Sequence, residues 1–266
     1  MQDNAILPGV VLVSLATTAV LITLLAVGLS RPGPQRPGLV AGALPLALLQ
    51  PLVAAAYASL HLIDLFSGIA QSGYGGMRPV LDACASLWML QRMAWGVFAA
   101  SCVGGLLISL FRRGPSAGDV PCSLRRGLVL FLLPALGLLA AGTLTVQLAK
   151  AMRVTVAVVS GDEHDPAGQK RYDAVLEAEG LQGFGSKGSI AAISGFIARR
   201  TIVGGLGGAA LGIALLGLAL SGFILTWRVR FGASFLALAS VAWLLAAALA
   251  ALVSSGVIDP LRLNSA

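Results

Sequence analysis

Charge is what this chain has least of. Of 266 residues only 11% are charged, 6% are aromatic and two are His. Hydrophobic residues make up 57%, and the mean hydropathy is +0.89. One soluble core of this length cannot hide so much apolar surface, so the composition predicts that lipid solvates part of the chain. Cysteine is scarce as well. Three cysteines, Cys84, Cys102 and Cys122, are too few for a disulfide framework. The Ser/His/Asp, HExxH, CxxC and nucleotide-binding patterns are absent, so the sequence predicts no enzyme and no cofactor. The net charge of +7 arises from Arg residues flanking apolar runs. Such residues act as topology signals, and no nucleic-acid partner is expected.

What the chain has is long apolar runs. About 20 residues cross bilayer hydrocarbon. Six runs meet that length: 8–30, 39–63, 85–111, 127–149, 201–226 and 233–254. The breaks are RPGPQRPG at 31–38, the polar stretch 112–126 and WRVRFG at 227–232, which together carry eight Arg against Asp119 alone. They alternate with segments close to neutral; the longest, 150–200, has seven basic and six acidic residues. The positive-inside rule then places the Arg-rich loops in the cytoplasm and both termini outside. The fold class expected is all-α: a polytopic protein of the bacterial inner membrane with six transmembrane helices, N-out and C-out. The first run has no basic residue before it and reads as an uncleaved anchor rather than a typical signal peptide. In the 150–200 loop, Asp165 and Pro166 read as N-cap and N1 of a short extracytoplasmic helix over 166–179, which Gly180 stops. The GDEHDP stretch at 161–166 has oxygen ligands but no metal-specific spacing, and a solvated loop entering a helix accounts for it equally. No metal is assigned.

The organisation expected is an anchor and turn (1–38), a first hairpin with its inner loop (39–126), a second hairpin (127–226) and a last span with tail (227–266). Residues 91–105 overlay 199–213 without a gap, at an offset of 108. Arg92 then falls on Arg200, Gly96 on Gly204, Ala100 on Gly208 and Gly104 on Gly212. Small residues every fourth position let helices approach closely in lipid. Such stripes also arise in membrane helices without duplication. If a repeat is present, the matching Arg residues favour a parallel one, spans 2–3 against 4–5, over an inverted 3+3 division.

Polar groups within the runs are few. No run has a carboxylate in its middle, which argues against an autonomous proton pump. Gln50 is the deepest amide and is expected to pack or hydrogen-bond across helices; Thr143, Thr145 and Thr201 complete the candidate buried polar set. In LHLIDLF (60–66), His61 and Asp64 share one helix face. Asp64 is expected at the outer membrane edge, level with Arg92 on the next span. Two readings stand: an Asp64–Arg92 ion pair with His61 nearby, or separate snorkelling of each charge to the headgroups.

The stretch PLALLQPLVAAAYASLHLIDLFSGIAQSG, followed by LWMLQRMAWGVFAASCVGGLLISLFRR, resembles the MotA/TolQ/ExbB family over about residues 39–113. That resemblance implies an inner-membrane subunit that oligomerises around a pore and works with a single-span partner, whose Asp binds the transported proton. The chain departs from the family pattern in three places. PLVAAAYASL stands where the family has a Gly-Leu-Leu-Gly-Thr-Val type run, RPGPQRPG replaces a large cytoplasmic domain, and the third span has no pore-facing Thr. Two other functions fit the same residues. A non-conducting scaffold would use the small-residue stripes for assembly alone, and a small-solute transporter would use Gln50 and the Thr residues as a polar site. Lipid and other membrane subunits, in a homo- or hetero-oligomer, are the expected partners.

Overall fold

The computed structural model describes residues 3–29, 47–72, 77–111, 137–139, 141–153 and 156, three residues at 170, 174 and 177, and 247–248 with 250–252. Apart from a turn at Leu48, these residues are all helical, with no strand among them. Three helices are complete: α1 (Asp3–Leu29), α2 (Leu49–Ser72) and α3 (Met77–Phe111). A further helical run covers 141–153.

Helix α1 carries no charge after Asp3, and its hydroxyls fold back on its own backbone. Thr17, Thr18 and Thr23 donate to the carbonyls of Val13, Ser14 and Ala19 at 2.7, 2.8 and 2.8 Å. This i−4 bonding satisfies a hydroxyl without water. Pro8 lies in the second turn, where it removes one N–H from the helix ladder.

The second and third helices extend beyond the apolar runs that predicted them on the side where the two meet. The expected span 39–63 continues as helix to Ser72, and 85–111 begins at Met77. A backbone ladder propagates as readily through Asp64 or Asp82 as through Leu, so hydropathy marks only part of each helix. The described part of α2 ends at Ser72 and that of α3 begins at Met77. Asp64 sits inside α2, not at its lip.

The helices alternate in direction. Ala54 clusters with Leu90 and Ala94 of α3, with Tyr57 packed against them. Leu48 and Leu52 share a core with Phe98 and Cys102. Rising numbers in α2 thus meet falling numbers in α3. Helix α1 runs antiparallel to α2: Gly9 lies against Tyr57, Val13 clusters with Ala54, and Thr17 meets Gln50. The 141–153 run opposes α3, with Ala141 in the Phe98–Cys102 layer and Thr145 beside Gln91.

The inner core gathers Val20, Leu52, Ala55, Trp95, Phe98, Leu144 and Ala250, with Trp95 and Phe98 edge to face at 5.7 Å. At Gly9 α1 comes closest to its neighbours. A Cβ there would sit 2.5 Å from Cδ1 of Tyr57 and 2.8 Å from Cδ2 of Leu90, so only glycine fits without displacement.

Counted over the described residues alone, no helix is long and apolar enough to cross a membrane. Six spans are thus an expectation that the described helices do not establish. Residues 201–226 lie outside the described residues, and so do the boundaries at 38, 126 and 226. In the expected outer helix 166–179, Lys170, Ala174 and Glu177 are helical and exposed.

Candidate functional site: a buried polar cluster

The described interior holds five buried polar residues: Gln50, Ser59, Gln91, Ser101 and Thr145. None is ionisable. Three of them, with Thr17 and Trp95, form a belt across four helical segments.

Thr145 is the hub. Its hydroxyl donates to the Ala141 carbonyl at 2.8 Å. With its one proton committed, Oγ1 can only accept from others. It does so twice, from Gln91 Nε2 and from Trp95 Nε1, each at 2.9 Å. A hydroxyl has one donor and two lone pairs, so Thr145 is saturated. Gln91 Nε2 also donates to the Pro51 carbonyl at 3.2 Å, which ties α3 to α2. These two bonds set the orientation of the Gln91 amide, because both acceptors require its NH2 end.

Gln50 follows the same logic one layer away. Thr17 has given its proton to Val13, so it accepts from Gln50 Nε2, over a long 3.4 Å. Among the described residues, three fully enclosed atoms find no hydrogen-bond partner: Gln50 Oε1, Gln91 Oε1 and Trp88 Nε1.

The other candidate residues lie apart from this belt. His61 is half-buried and stacks on Tyr57 of its own helix, with ring centroids 6.0 Å apart and planes 8° from parallel. Asp64 is exposed and Arg92 half-buried. The hairpin register sets Leu90 beside Tyr57. From that level Asp64 lies seven residues one way and Arg92 two residues the other, an axial separation of about 13 Å at about 1.5 Å per residue. Thr143 is exposed, on the opposite side of its helix from the saturated Thr145.

In the small-residue stripe of α3, Ala100 is exposed and a Cβ on Gly104 would meet nothing within 4 Å. Gly96 is half-buried. The stripe therefore faces away from the α1–α2 side of the bundle. Thr201, Gly204, Gly208 and Gly212 lie outside the described residues, as do Cys122 and the 161–166 stretch.

Sequence reading passed over Gln91, Trp95, Trp88 and Thr17. A usable signal exists for the first of these. Leu87, Gln91, Ala94 and Phe98 recur at helical spacing and all are buried, so Gln91 belongs to the inward face while its neighbour Arg92 does not.

No protein-family model matches the chain, and neither a curated protein nor a solved structure does.

Proposed function

We propose that the chain is a multi-pass helical protein of the bacterial inner membrane that serves as a subunit of an oligomeric assembly. The observation that carries this is the outer face of α1. Gly9, Val13 and Val20 face inward, yet Leu7, Leu15, Ile22 and Leu25 on the other side are each 60–62% exposed. A helix on the surface of a soluble protein has polar residues there. The exposed or half-exposed Thr18 and Thr23 bond their own helix, which suits an environment without water. Among the described residues no helix is long and apolar enough to cross a membrane; α1 itself is 27 residues with no charge after Asp3. That is about 40 Å of helix against a hydrocarbon core of about 30 Å, so this reading rests on the full sequence of the helix.

Within that class, a non-conducting assembly subunit fits the interior best. The belt around Thr145 has no titratable group, and Thr145 has no hydrogen-bonding capacity left for a solute. The outward stripe at Ala100 and Gly104 supplies a surface for close helix contact. The second reading, a proton-channel-like subunit related to the MotA/TolQ/ExbB pattern, draws support from the antiparallel α2–α3 hairpin. It requires a partner helix to bring the acid.

Membrane extraction and native mass test this. The protein should stay with membranes at alkaline pH and run as an oligomer in mild detergent. Release by carbonate would refute the membrane reading, and a monomer the assembly reading. Proton flux in liposomes only with a co-purifying, acid-bearing single-span partner would select the second reading.

A further inference from the structure

The helical run 141–153 has two distinct sides. Leu144, Thr145, Leu148, Ala149, Ala151 and Met152 are buried, while Thr143, Val146, Lys150 and Arg153 are exposed. The exposed four recur every three or four residues and so form one stripe along the helix, with the exposed Gln147 beside it. Leu139, 65% exposed, precedes Thr143 by one such step and continues the stripe. Its order is apolar first and cationic last. Neither Lys150 nor Arg153 is ion-paired to a carboxylate among the described residues. The packing register gives their depth. With Thr145 beside Gln91 and the two helices opposed, Arg153 comes level with the part of α3 that carries the exposed Asp82. Leu90 beside Tyr57 brings the exposed Asp64 of α2 to the same level. Charge thus reaches the surface of three helical segments in one band, and the half-buried Arg92 lies deeper.

We infer that this stripe binds an anionic phospholipid, with the headgroup phosphate held between Lys150 and Arg153 and an acyl chain lying along Val146, Thr143 and Leu139. The inference rests on the membrane reading proposed above. Side chains one turn apart have Cβ atoms about 5–6 Å from each other, and both cations have stems long enough to converge on one phosphate. Their contacts to it are charge-assisted, and Arg153 adds a planar fork of donors. Net charge selects the lipid. A zwitterionic headgroup brings its own ammonium against two cations, whereas an anionic headgroup brings no opposing charge. The length fits as well. Leu139 lies about 16 Å from Lys150 at about 1.5 Å per residue, and one leaflet supplies half of a hydrocarbon core of about 30 Å. The carbon stem of Lys150 can rest on the apolar part of the stripe while its ammonium reaches the headgroups.

The full chain in mild detergent, titrated with phosphatidylglycerol or phosphatidylcholine and read by native mass spectrometry, tests the site. The expected result is a retained phosphatidylglycerol adduct, bound at least about tenfold more tightly than phosphatidylcholine. Lys150→Gln combined with Arg153→Gln should weaken that adduct about 30-fold, at about fivefold for each charge near an anionic lipid surface. Lys170→Gln removes an exposed cation outside the stripe and should leave the adduct unchanged. Circular dichroism checks that the variants keep their helices. Equal affinity for the two lipids in the unsubstituted protein would overturn the inference whether or not a variant folds. An equal loss in Lys170→Gln would overturn it too, since net charge alone would then explain binding. Displacement of the lipid by glycerol 3-phosphate would reduce the stripe to a free phosphate site and equally refute it. Alkaline carbonate extraction separates this inference from the reading beneath it. A protein that stays in the membrane without lipid preference refutes the site alone, and one that is released refutes the membrane reading and the site together.

Discussion

Gln91 reaches Thr145 across 54 residues of sequence, donating from Nε2 to a hydroxyl 2.9 Å away whose own proton is already given to Ala141. Because the acceptor is saturated, the consequences of removing it are asymmetric. Thr145→Val preserves shape but leaves two buried N–H groups without an acceptor, that of Trp95 Nε1 and one of the two on Gln91 Nε2, whose other proton stays on Pro51. The expected cost is about 1–3 kcal/mol per stranded group at most, and toward the lower end in a bilayer, where interhelical bonds average about 0.6 kcal/mol. Thr145→Ser keeps the hydroxyl and should lose less than half as much. Unfolding in mild detergent, followed by circular dichroism, compares the two; equal losses would show that the methyl rather than the hydroxyl matters.

Gly9 poses a contest between two effects. Alanine improves helix propensity by about 1 kcal/mol, but its Cβ would press on the Tyr57 ring. That ring is confined by its stack with His61, so overpacking should prevail. Gly9→Ala is expected to destabilise by about 1–3 kcal/mol, and Tyr57→Ala in the same chain should recover part of the loss. A more stable Gly9→Ala protein would mean that α1 does not pack this closely.

The thiols of Cys84 and Cys102 are both fully buried and free. In a Cys122→Ser background the folded protein should resist maleimide labelling until denaturant is added. Rapid labelling of the native protein would place one of these faces at an aqueous surface.

The outward stripe predicts a separation of assembly from stability. Ala100→Trp adds bulk where the described structure leaves the surface open. Its monomer stability should stay within about 0.5 kcal/mol, as for surface substitutions generally, while native mass falls. Unchanged native mass would remove this stripe from the interface.

Asp64 and Arg92 give a test of the hairpin register. At about 13 Å along the axis, Asp64→Asn and Arg92→Gln should be additive within about 0.3–0.5 kcal/mol in a double-mutant cycle. Larger coupling would establish an ion pair between them.

Much of the helical pattern can be read along the chain, because apolar runs and glycine-rich breaks act locally. The core part of each of α1, α2 and α3 coincides with an apolar run, and GYGG at 73–76 is a turn signal in plain view. The ends are less legible. Helix α2 passes through Asp64 to Ser72 because its hydrogen-bond ladder is indifferent to side-chain polarity. Depth estimated from hydropathy alone therefore set Asp64 level with Arg92, and the packing register moved them apart.

Composition and spacing by themselves determined that the described segments are helical, that the chain's polar residues are few, and that Gln50 and Thr145 lie in apolar surroundings. Tertiary structure decided which polar atoms meet. A bond from Gln91 to Thr145, or from Gln50 to Thr17, depends on the rotation and register of separate helices, and neither quantity is written in any local stretch. The same applies to Trp88. Its N–H is enclosed and without a partner among the described residues, which no local stretch of sequence would reveal.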